Sequence, residues 1–270
     1  MIGAVVFQVR AEAEGRLQRT HGRLLHAAFF RMLQAYSEEL AACVHEEVRF
    51  KAFTVSELFP AKRKNEIGDF IRVLKGDVFY WRVTVLDDLL LQAVLGVQPG
   101  YVVQAGSLPL RLEKIETDGD RYGATGILDE NELIAACLRI KAVKRITFQF
   151  SSPVSFRFFQ DDYPFPLPQL IFGSIVDKWN LTAMPVSFER ETVREAAAKL
   201  LPESWSGKTR QVYLKKDRGV TGFTGSFTFN ISMLPQAEQQ MLLLLAQFSQ
   251  FSGVGRLTGQ GLGQTMVTFQ

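Results

Sequence analysis

The sequence contains few cysteines and histidines, the residues that form disulfides and many metal sites, and few tryptophans. Its 270 residues include 2 cysteines, 3 histidines and 3 tryptophans. Cys43 and Cys137 lie far apart in apolar segments with helical spacing. We therefore interpret them as small buried thiols in a reducing compartment, not as a disulfide or a zinc site. So few cysteines and histidines give no metal-ligand spacing, and we expect no metal and no cofactor.

Long apolar stretches are also missing. No segment reaches the length that a membrane-spanning helix needs, and the first ten residues have strand character without a signal-peptide pattern. We expect a cytoplasmic protein. Hydrophobic residues make up 47% of the chain, which is enough for a sizeable core, and the net charge of +3 allows nucleic acid as a partner without requiring it.

Basic residues occur in clusters, and each cluster taken singly is typical of a solvated loop or strand edge. If the protein binds an extended nucleic-acid strand, the cleft between two domains is the natural place for it. The candidates for this contact lie at the middle of the chain and in its second half: Lys141, Lys144, Arg145, Lys208 and Arg210.

The pattern of apolar residues predicts two halves with the same order of elements. In the first half, we predict strands over 2–10, 49–55, 78–86, 101–117 and 121–128, and helices over 22–35, 37–45 and 87–95. In the second half, we predict strands over 145–158, 211–216, 221–231 and 264–269, and helices over 167–181 and 235–251. Each half then has the ferredoxin-like βαββαβ order. We predict an α+β protein with tandem ferredoxin-like domains at 1–143 and 144–270 and a C-terminal glycine-rich loop.

All three histidines fall within the first 45 residues. His45 ends the predicted second helix, where the helix dipole favours a protonated imidazole, and could act as a general acid or base. Lys51 follows six residues later and could stabilise the negative charge of a phosphoryl transition state. The alternative is a histidine helix cap beside a solvated lysine, and spacing alone favours it.

His26 lies on the first predicted helix and could join His45 only if that helix ends early. In one unbroken helix, the two histidines would be roughly 28 Å apart. We predict a break at Tyr36–Ser37, with Ser37 as the N-cap of the second helix. His21 precedes the first helix, and we expect a structural role or a substrate contact.

A glycine-rich segment near the C-terminus is the second candidate site. Gly253, Gly255, Gly259, Gly261 and Gly263 surround Arg256. The segment follows a helix and precedes a strand, so it is neither a P-loop nor a dinucleotide fingerprint. It could place backbone N–H groups and the arginine along a nucleic-acid backbone. The alternative is a flexible connection between helix and strand.

Three segments together resemble a known family: Leu40–Glu46, Lys51–Ser56 and Gly253–Gly263. They are similar to the CRISPR-associated endoribonucleases that process precursor CRISPR RNA, members of the repeat-associated mysterious protein superfamily. The resemblance implies metal-independent cleavage within repeats, in which the 2′-hydroxyl attacks the phosphate. The implied products are a 2′,3′-cyclic phosphate, or a 3′-phosphate, and a 5′-hydroxyl. CRISPR repeat RNA is the implied partner, and other effector subunits and a homodimer are compatible with it.

The same resemblance gives roles to single residues. The family's catalytic histidine falls on His45 and its lysine on Lys51. Some members carry a tyrosine where this chain has Phe30, which has no hydroxyl, and His26 would take that role as a second histidine. Three alternatives remain: a non-catalytic RNA-binding subunit of a CRISPR effector complex, a pair of RNA-binding ferredoxin-like modules of another class, and a metabolic enzyme with a phosphate-binding loop.

Overall fold

The computed structural model describes residues 1–47, 50–62, 66–119, 125–140, 142–215 and 218–270. By packing, the chain divides into two compact units. The first comprises Met1–Ile127 with Gly259–Gly261, and the second comprises Leu128–Thr258 with Leu262–Gln270. This grouping assigns residues 128–143 to the second unit. The domain limits predicted from the sequence, 1–143 and 144–270, stay a prediction.

The first unit contains a six-stranded sheet with the order β3-β6-β1-β8-β7 and with β9 beside β1. Its elements, in chain order, are β1 (Ile2–Ala11), β2 (Gly15–Gln18), α1 (Gly22–Tyr36), α2 (Glu38–Glu46), β3 (Phe53–Pro60), β4 (Glu66–Ile67), β5 (Phe70–Val73), β6 (Val78–Val85), α3 (Asp88–Leu95), β7 (Val102–Ala105), β8 (Leu108–Glu116) and β9 (Gly126–Leu128). The antiparallel neighbours β3, β6, β1 and β8, with α1 and α3 as crossovers, have the βαββαβ connection of a ferredoxin-like fold.

The second unit repeats this order in the sheet β13-β14-β10-β15. Its elements are α4 (Glu130–Arg139), β10 (Arg145–Val154), β11 (Phe156–Phe158), β12 (Asp161–Tyr163), α5 (Pro168–Leu181), α6 (Arg190–Ala198), β13 (Leu201–Lys215), β14 (Arg218–Asn230), α7 (Gln236–Ser252), a 3₁₀ turn (Thr258–Gln260) and β15 (Thr265–Phe269). The prediction of tandem ferredoxin-like units is therefore confirmed.

The core of the first unit forms where α1 packs on the sheet. The buried residues of α1 repeat every three or four positions, as a one-sided helix requires: Leu25, Ala28, Phe29, Met32 and Leu33. They join the inward residues of β1, such as Val5, Phe7 and Val9. This packing fixes α1, and with it the position of the residues on its outer face.

Several predictions for single elements and residues differ from the structure. Cys43 is exposed, whereas Cys137 is buried and its pKa is raised by burial to about 11. The prediction of a buried Cys43 was wrong because Ala41, not Cys43, is the buried residue of α2. The predicted strand over 49–55 begins instead at Phe53, and the strand over 101–117 is a hairpin of β7 and β8. Part of the predicted strand over 121–128 lies outside the described residues.

The described ranges contain neither a membrane-spanning helix nor a cluster of metal ligands. Within them, none of the helices combines the length and apolarity that a bilayer crossing requires. The same part of the chain shows no group of three or more side chains placed to hold a metal ion.

His21 is a structural residue of the first unit. Its side chain is 2% exposed and joins two strands to the start of α1. The Nε2 atom accepts a hydrogen bond from the N–H of Leu58 at 2.7 Å, so the Nδ1 atom donates to the carbonyl of Gln18, also at 2.7 Å. Burial lowers the pKa of His21 from 6.5 to about 4.

We predict that protonation of His21 makes the fold sensitive to acid. Between its unfolded and folded pKa values the unfolded chain binds a proton that the folded chain does not, so stability falls as the pH falls through this window. The shift corresponds to about 3 kcal/mol in the free energy of unfolding. Denaturant unfolding between about pH 7 and about pH 4 should show this decrease. His21→Asn keeps a donor towards Gln18 but cannot take up the proton. The part of the stability decrease that comes from His21 should therefore be absent in this variant. Identical pH profiles for the two proteins would contradict the assignment.

Candidate active site

The break between α1 and α2 is present where the sequence predicts it. The N–H of Ser37 donates to the carbonyl of Leu33 at 2.8 Å and so ends α1. The Ser37 hydroxyl oxygen accepts from the N–H of Leu40 at 3.1 Å and so begins α2. One residue therefore closes one helix and opens the next, and α2 returns past the outer face of α1.

This return brings His26 and His45 to the same aromatic ring. The Phe30 ring centroid lies 4.9 Å from that of His26 and 5.6 Å from that of His45, both in edge-on contact. Phe53 at the start of β3 stacks on His26 at 5.7 Å and meets Phe30 edge-on at the same distance. The two imidazoles thus share one side chain as a common neighbour.

His26 is half-buried and hydrogen-bonded to the glycine-rich segment. Its Nδ1 atom lies 2.7 Å from the carbonyl oxygen of Gly259. Burial lowers the pKa of His26, and the positive charges of Lys51, Arg23 and His45 lower it further, whereas the bond to Gly259 acts in the opposite direction. A neutral imidazole at neutral pH is the state of a general base.

His45 is exposed and lies in the last turn of α2. It lines an open pocket of about 570 Å³ between α1 and α2. The other lining residues are Phe30, Gln34, Glu38, Ala41, Ala42 and Glu46. The pocket is large enough for one nucleotide-sized group and gives solvent access to the imidazole.

The Lys51 side chain is hydrogen-bonded to the backbone of the protein. Its ammonium donates to the carbonyl oxygens of Val44 at 2.6 Å, His45 at 2.8 Å and Glu47 at 2.5 Å, and burial lowers its pKa. These carbonyls belong to the C-terminal turn of α2, so Lys51 caps the helix that carries His45. An ammonium has three protons, and in this geometry all three are engaged.

The glycine-rich segment is a packed loop, with all five of its glycines buried. The N–H groups of Gly253, Gly255, Arg256 and Gly263 donate to groups within the second unit, namely the carbonyls of Ser249, Ser155 and Pro153 and the hydroxyl of Ser174. The expected row of free amides is therefore not formed at these four positions. A Cβ at Gly263, where φ is +65°, would overlap the carbonyl of Val254, so close backbone packing explains this glycine.

The arginine of this loop is also engaged. The Arg256 side chain forms an ion pair with Asp162 of β12, and only 23% of it is exposed. Gly259 and Gly261, by contrast, pack on the first unit: Gly259 beside Phe53 and Gly261 beside Gly22. The loop therefore contributes residues to both compact units, and only its 259–261 part contacts the histidine site.

The structure separates the other basic candidates into two groups. Arg145 and Leu201 both pair with Asn230, whereas Lys208 pairs with Thr224 and Arg210 with Gly222. Six strand positions of about 3.3 Å separate Asn230 from Thr224, so the groups lie about 20 Å apart. Arg145 forms two hydrogen bonds to the Glu203 carboxylate at 2.6 and 2.7 Å, while Lys144 and Lys208 are exposed. Lys141 lies outside the described residues.

Family models match both halves of the chain. The N-terminal domain of CRISPR Cas6 matches residues 1–113, and the CRISPR-associated endoribonuclease Cas6 matches residues 148–265. The chain belongs to the Cas6 family. It is therefore a protein of CRISPR RNA processing in a family of RNA nucleases.

Solved Cas6 structures agree with this fold over almost the whole chain. A Cas6 product complex is 28% identical and covers 99% of each chain, with a TM-score of 0.79. A structure of Thermus thermophilus Cas6 is 26% identical over 99% of this chain and 98% of its own, with a TM-score of 0.73. Another Cas6 product complex, 23% identical over 99% of this chain and all of its own, shares the fold at a TM-score of 0.74. No curated protein sequence gives a match.

Sequence reasoning missed the groups that hold His26 in this Cas6-family site. The sequence pattern indicates only a strand residue at Phe53 and the start of a helix at Gly22. The contact between His26 and Gly259 spans 233 positions and leaves no local signal. A glycine at the start of α1, together with glycines near the C-terminus, is consistent with close backbone contact but does not specify the pair.

We predict that the pKa of His26 responds to Arg23. Removing this nearby positive charge in Arg23→Gln should raise the pKa of His26 towards its ordinary value of 6.5. Titration of the His26 ring protons by NMR measures this value in the wild type and in the variant. Arg16→Gln is a suitable control, because Arg16 is not among the charges that act on His26. An unchanged His26 titration in Arg23→Gln would contradict the electrostatic account.

Proposed function

We propose that this Cas6-family protein is a metal-independent endoribonuclease that cleaves precursor CRISPR RNA within its repeats to give mature guide RNA. The contact of His26 and His45 with the shared ring of Phe30 carries this proposal. It supplies two proton-transfer groups, one half-buried with a lowered pKa and one exposed beside a pocket. Two such groups are what 2′-hydroxyl attack on a phosphodiester requires.

In the proposed reaction, His26 accepts the proton of the 2′-hydroxyl as the 2′-oxygen attacks phosphorus. The bond between phosphorus and the 5′-oxygen breaks, and His45 donates a proton to that oxygen. The products are a 2′,3′-cyclic phosphate and a 5′-hydroxyl, so atoms and protons balance without a co-reactant. Phe30, which has no hydroxyl, places the two imidazoles but transfers no proton.

Lys51 has a supporting role in this proposal. Its ammonium holds the last turn of α2 by three carbonyl contacts and so fixes the backbone of His45. Its positive charge also lies close enough to lower the pKa of His26. The same charge stabilises negative charge that develops on the phosphate nearby, although its protons are engaged elsewhere.

Repeat RNA is the proposed partner. Two of the similar Cas6 structures are product complexes, and a third contains a substrate mimic. In this chain, Lys208 and Arg210 lie on one face of the long edge strand β13, where Lys208 is exposed. Charged side chains on a strand edge can follow a phosphate backbone. We propose Lys208 and Arg210 as the stronger phosphate contacts, with Lys144 and Arg145 as weaker ones because Glu203 already pairs with Arg145.

We predict that the wild-type protein cleaves labelled repeat RNA in EDTA. His45→Ala and His26→Ala should each lower the single-turnover rate by about 10²–10⁴-fold, since each removes one proton-transfer group. A 2′-deoxy substitution at the mapped cut should abolish cleavage, because it removes the nucleophile. Cys43→Ala, on the exposed side of α2, is the matched control and should keep the wild-type rate.

Other outcomes overturn the proposal in distinguishable ways. Wild-type protein that binds the repeat but does not cut it would indicate a non-catalytic RNA-binding subunit. Cleavage that stops in EDTA and returns with Mg²⁺ would contradict metal independence. Full activity in His26→Ala would remove His26 from the mechanism.

We predict a different effect for the basic residues of β13. The double variant Lys208→Gln/Arg210→Gln should weaken repeat binding and reduce the slope of log affinity against log salt by about 0.7 for each lost phosphate contact. Fluorescence anisotropy over a salt series measures both quantities. Arg190→Gln removes one charge that is already paired with Asp177 and serves as the control. An unchanged slope in the double variant would exclude β13 from the RNA contact.

A further inference from the structure

We propose that the Gly259 carbonyl is a positioning group for His26: it fixes the imidazole as the Nδ1–H tautomer and leaves the Nε2 lone pair as the base. The glycine-rich loop then serves the chemical step as well as the fold. This inference rests on the proposed role of His26 as general base, and it assigns the atom that takes the proton.

The tautomer follows from the chemistry of the partner. A backbone carbonyl oxygen only accepts hydrogen bonds, so at 2.7 Å the Nδ1 atom of His26 must carry the proton. A neutral imidazole has one N–H, and Nε2 is then unprotonated. Within the described residues no hydrogen bond to Nε2 of His26 is present. That nitrogen is the group able to accept the 2′-hydroxyl proton.

Two rings restrict the imidazole plane. Phe53 stacks on the His26 ring at 5.7 Å with an interplanar angle of 25°, and Phe30 contacts it edge-on at 4.9 Å. Gly259 also packs beside Phe53, since a Cβ there would lie 3.5 Å from the Phe53 ring. With its plane held by Phe53 and its Nδ1 atom by Gly259, the ring has one orientation for Nε2.

The carbonyl itself is placed by contact between two backbones. Gly22 begins α1 one turn before His26, and a Cβ there would lie 2.7 Å from the Cα of Gly261 and would overlap the carbonyl of Gln260. Gly261 has φ +93°, a backbone conformation that other residues rarely adopt. The segment 259–261 can therefore rest directly on the helix start only because both positions are glycine.

Charged groups around the His26 ring favour its neutral form. Arg23 on α1, His45 on α2 and Lys51 before β3 all disfavour a second proton on His26, and burial acts in the same direction. The Gly259 bond opposes them, because the Nδ1–H of a charged imidazolium donates a stronger hydrogen bond to the carbonyl than the Nδ1–H of the neutral ring. The carbonyl therefore selects the tautomer, while the surrounding charges keep the ring neutral.

The first test reads the tautomer directly. Long-range ¹H–¹⁵N NMR of the histidine rings distinguishes Nδ1–H from Nε2–H, and loss of a signal in His26→Ala assigns His26 among the three histidines. We expect the Nδ1–H tautomer for His26 in the free wild-type protein. An Nε2–H ring, or a mixture of the two forms, would overturn the inference whatever the activity.

The second test displaces the loop. Gly22→Ala should push the segment 259–261 away from α1, give a mixture of His26 tautomers and lower the single-turnover rate by roughly 10²-fold, with repeat affinity kept. Gly173→Ala in α5 is the matched control, because its Cβ would meet only the side chains of Arg194 and Arg190, at ordinary van der Waals distance. Wild-type tautomer and rate in Gly22→Ala would contradict the inference.

A third variant does not depend on whether Gly22→Ala folds. His26→Asn places an amide N–H near the Nδ1 position and has no counterpart of Nε2. It should keep more of the thermal stability than His26→Ala but be equally inactive. If His26→Asn were active, the base would not be Nε2. If His26→Ala were active although the wild-type ring proved to be Nδ1–H, the role of His26 as general base would fail, and with it this inference, while the nuclease function would stand.

Discussion

The single-residue break at Ser37 is the constraint on which the candidate site depends. Its N–H closes α1 and its hydroxyl opens α2, so the chain turns back without a loop. A continuous helix would carry His45 several turns beyond His26. Capping by serine is worth about 1 kcal/mol, which is small beside the burial of Phe29 and Leu33 that anchors α1. A weak local interaction therefore sets the geometry, and strong packing elsewhere makes that geometry stable.

The sequence of the glycine-rich loop suggests a ligand site, yet most of the hydrogen-bonding groups expected to bind a ligand are bonded within the protein. Five glycines around an arginine suggest free amides for a phosphate, but most of the amides in question bond to β10, α5 and α7 or the residues just beyond them. Arg256 likewise pairs with Asp162. The group that the loop offers to His26 is a carbonyl oxygen, an acceptor that cannot bind phosphate but can orient an imidazole. The sequence thus suggests hydrogen-bond donors for a phosphate, whereas the loop offers the histidine site a hydrogen-bond acceptor.

Much of the fold follows from local signals, because helix periodicity and caps are encoded within a few neighbouring residues. Ser37 caps α2 as the sequence predicts, and Asp87 caps α3, which lies where the sequence predicts a helix. The interactions that decide side-chain roles are not local. Arg145 meets Glu203, Arg256 meets Asp162 and His26 meets Gly259 at separations of 58, 94 and 233 residues. The sequence alone therefore identifies candidate residues of the site but not which of their atoms are already engaged.

Lys51 illustrates the same distinction within the candidate active site. Sequence spacing places a lysine six residues after His45, and the structure shows that it closes the helix bearing that histidine. Its charge nevertheless acts on His26, together with Arg23. On the proposed function, a bound phosphodiester brings a negative charge that opposes both cations and raises the proton affinity of the His26 ring. Substrate binding would then strengthen the base at the moment it is needed, whereas the ring stays neutral and ready in the free protein because the cations and burial disfavour its charged form.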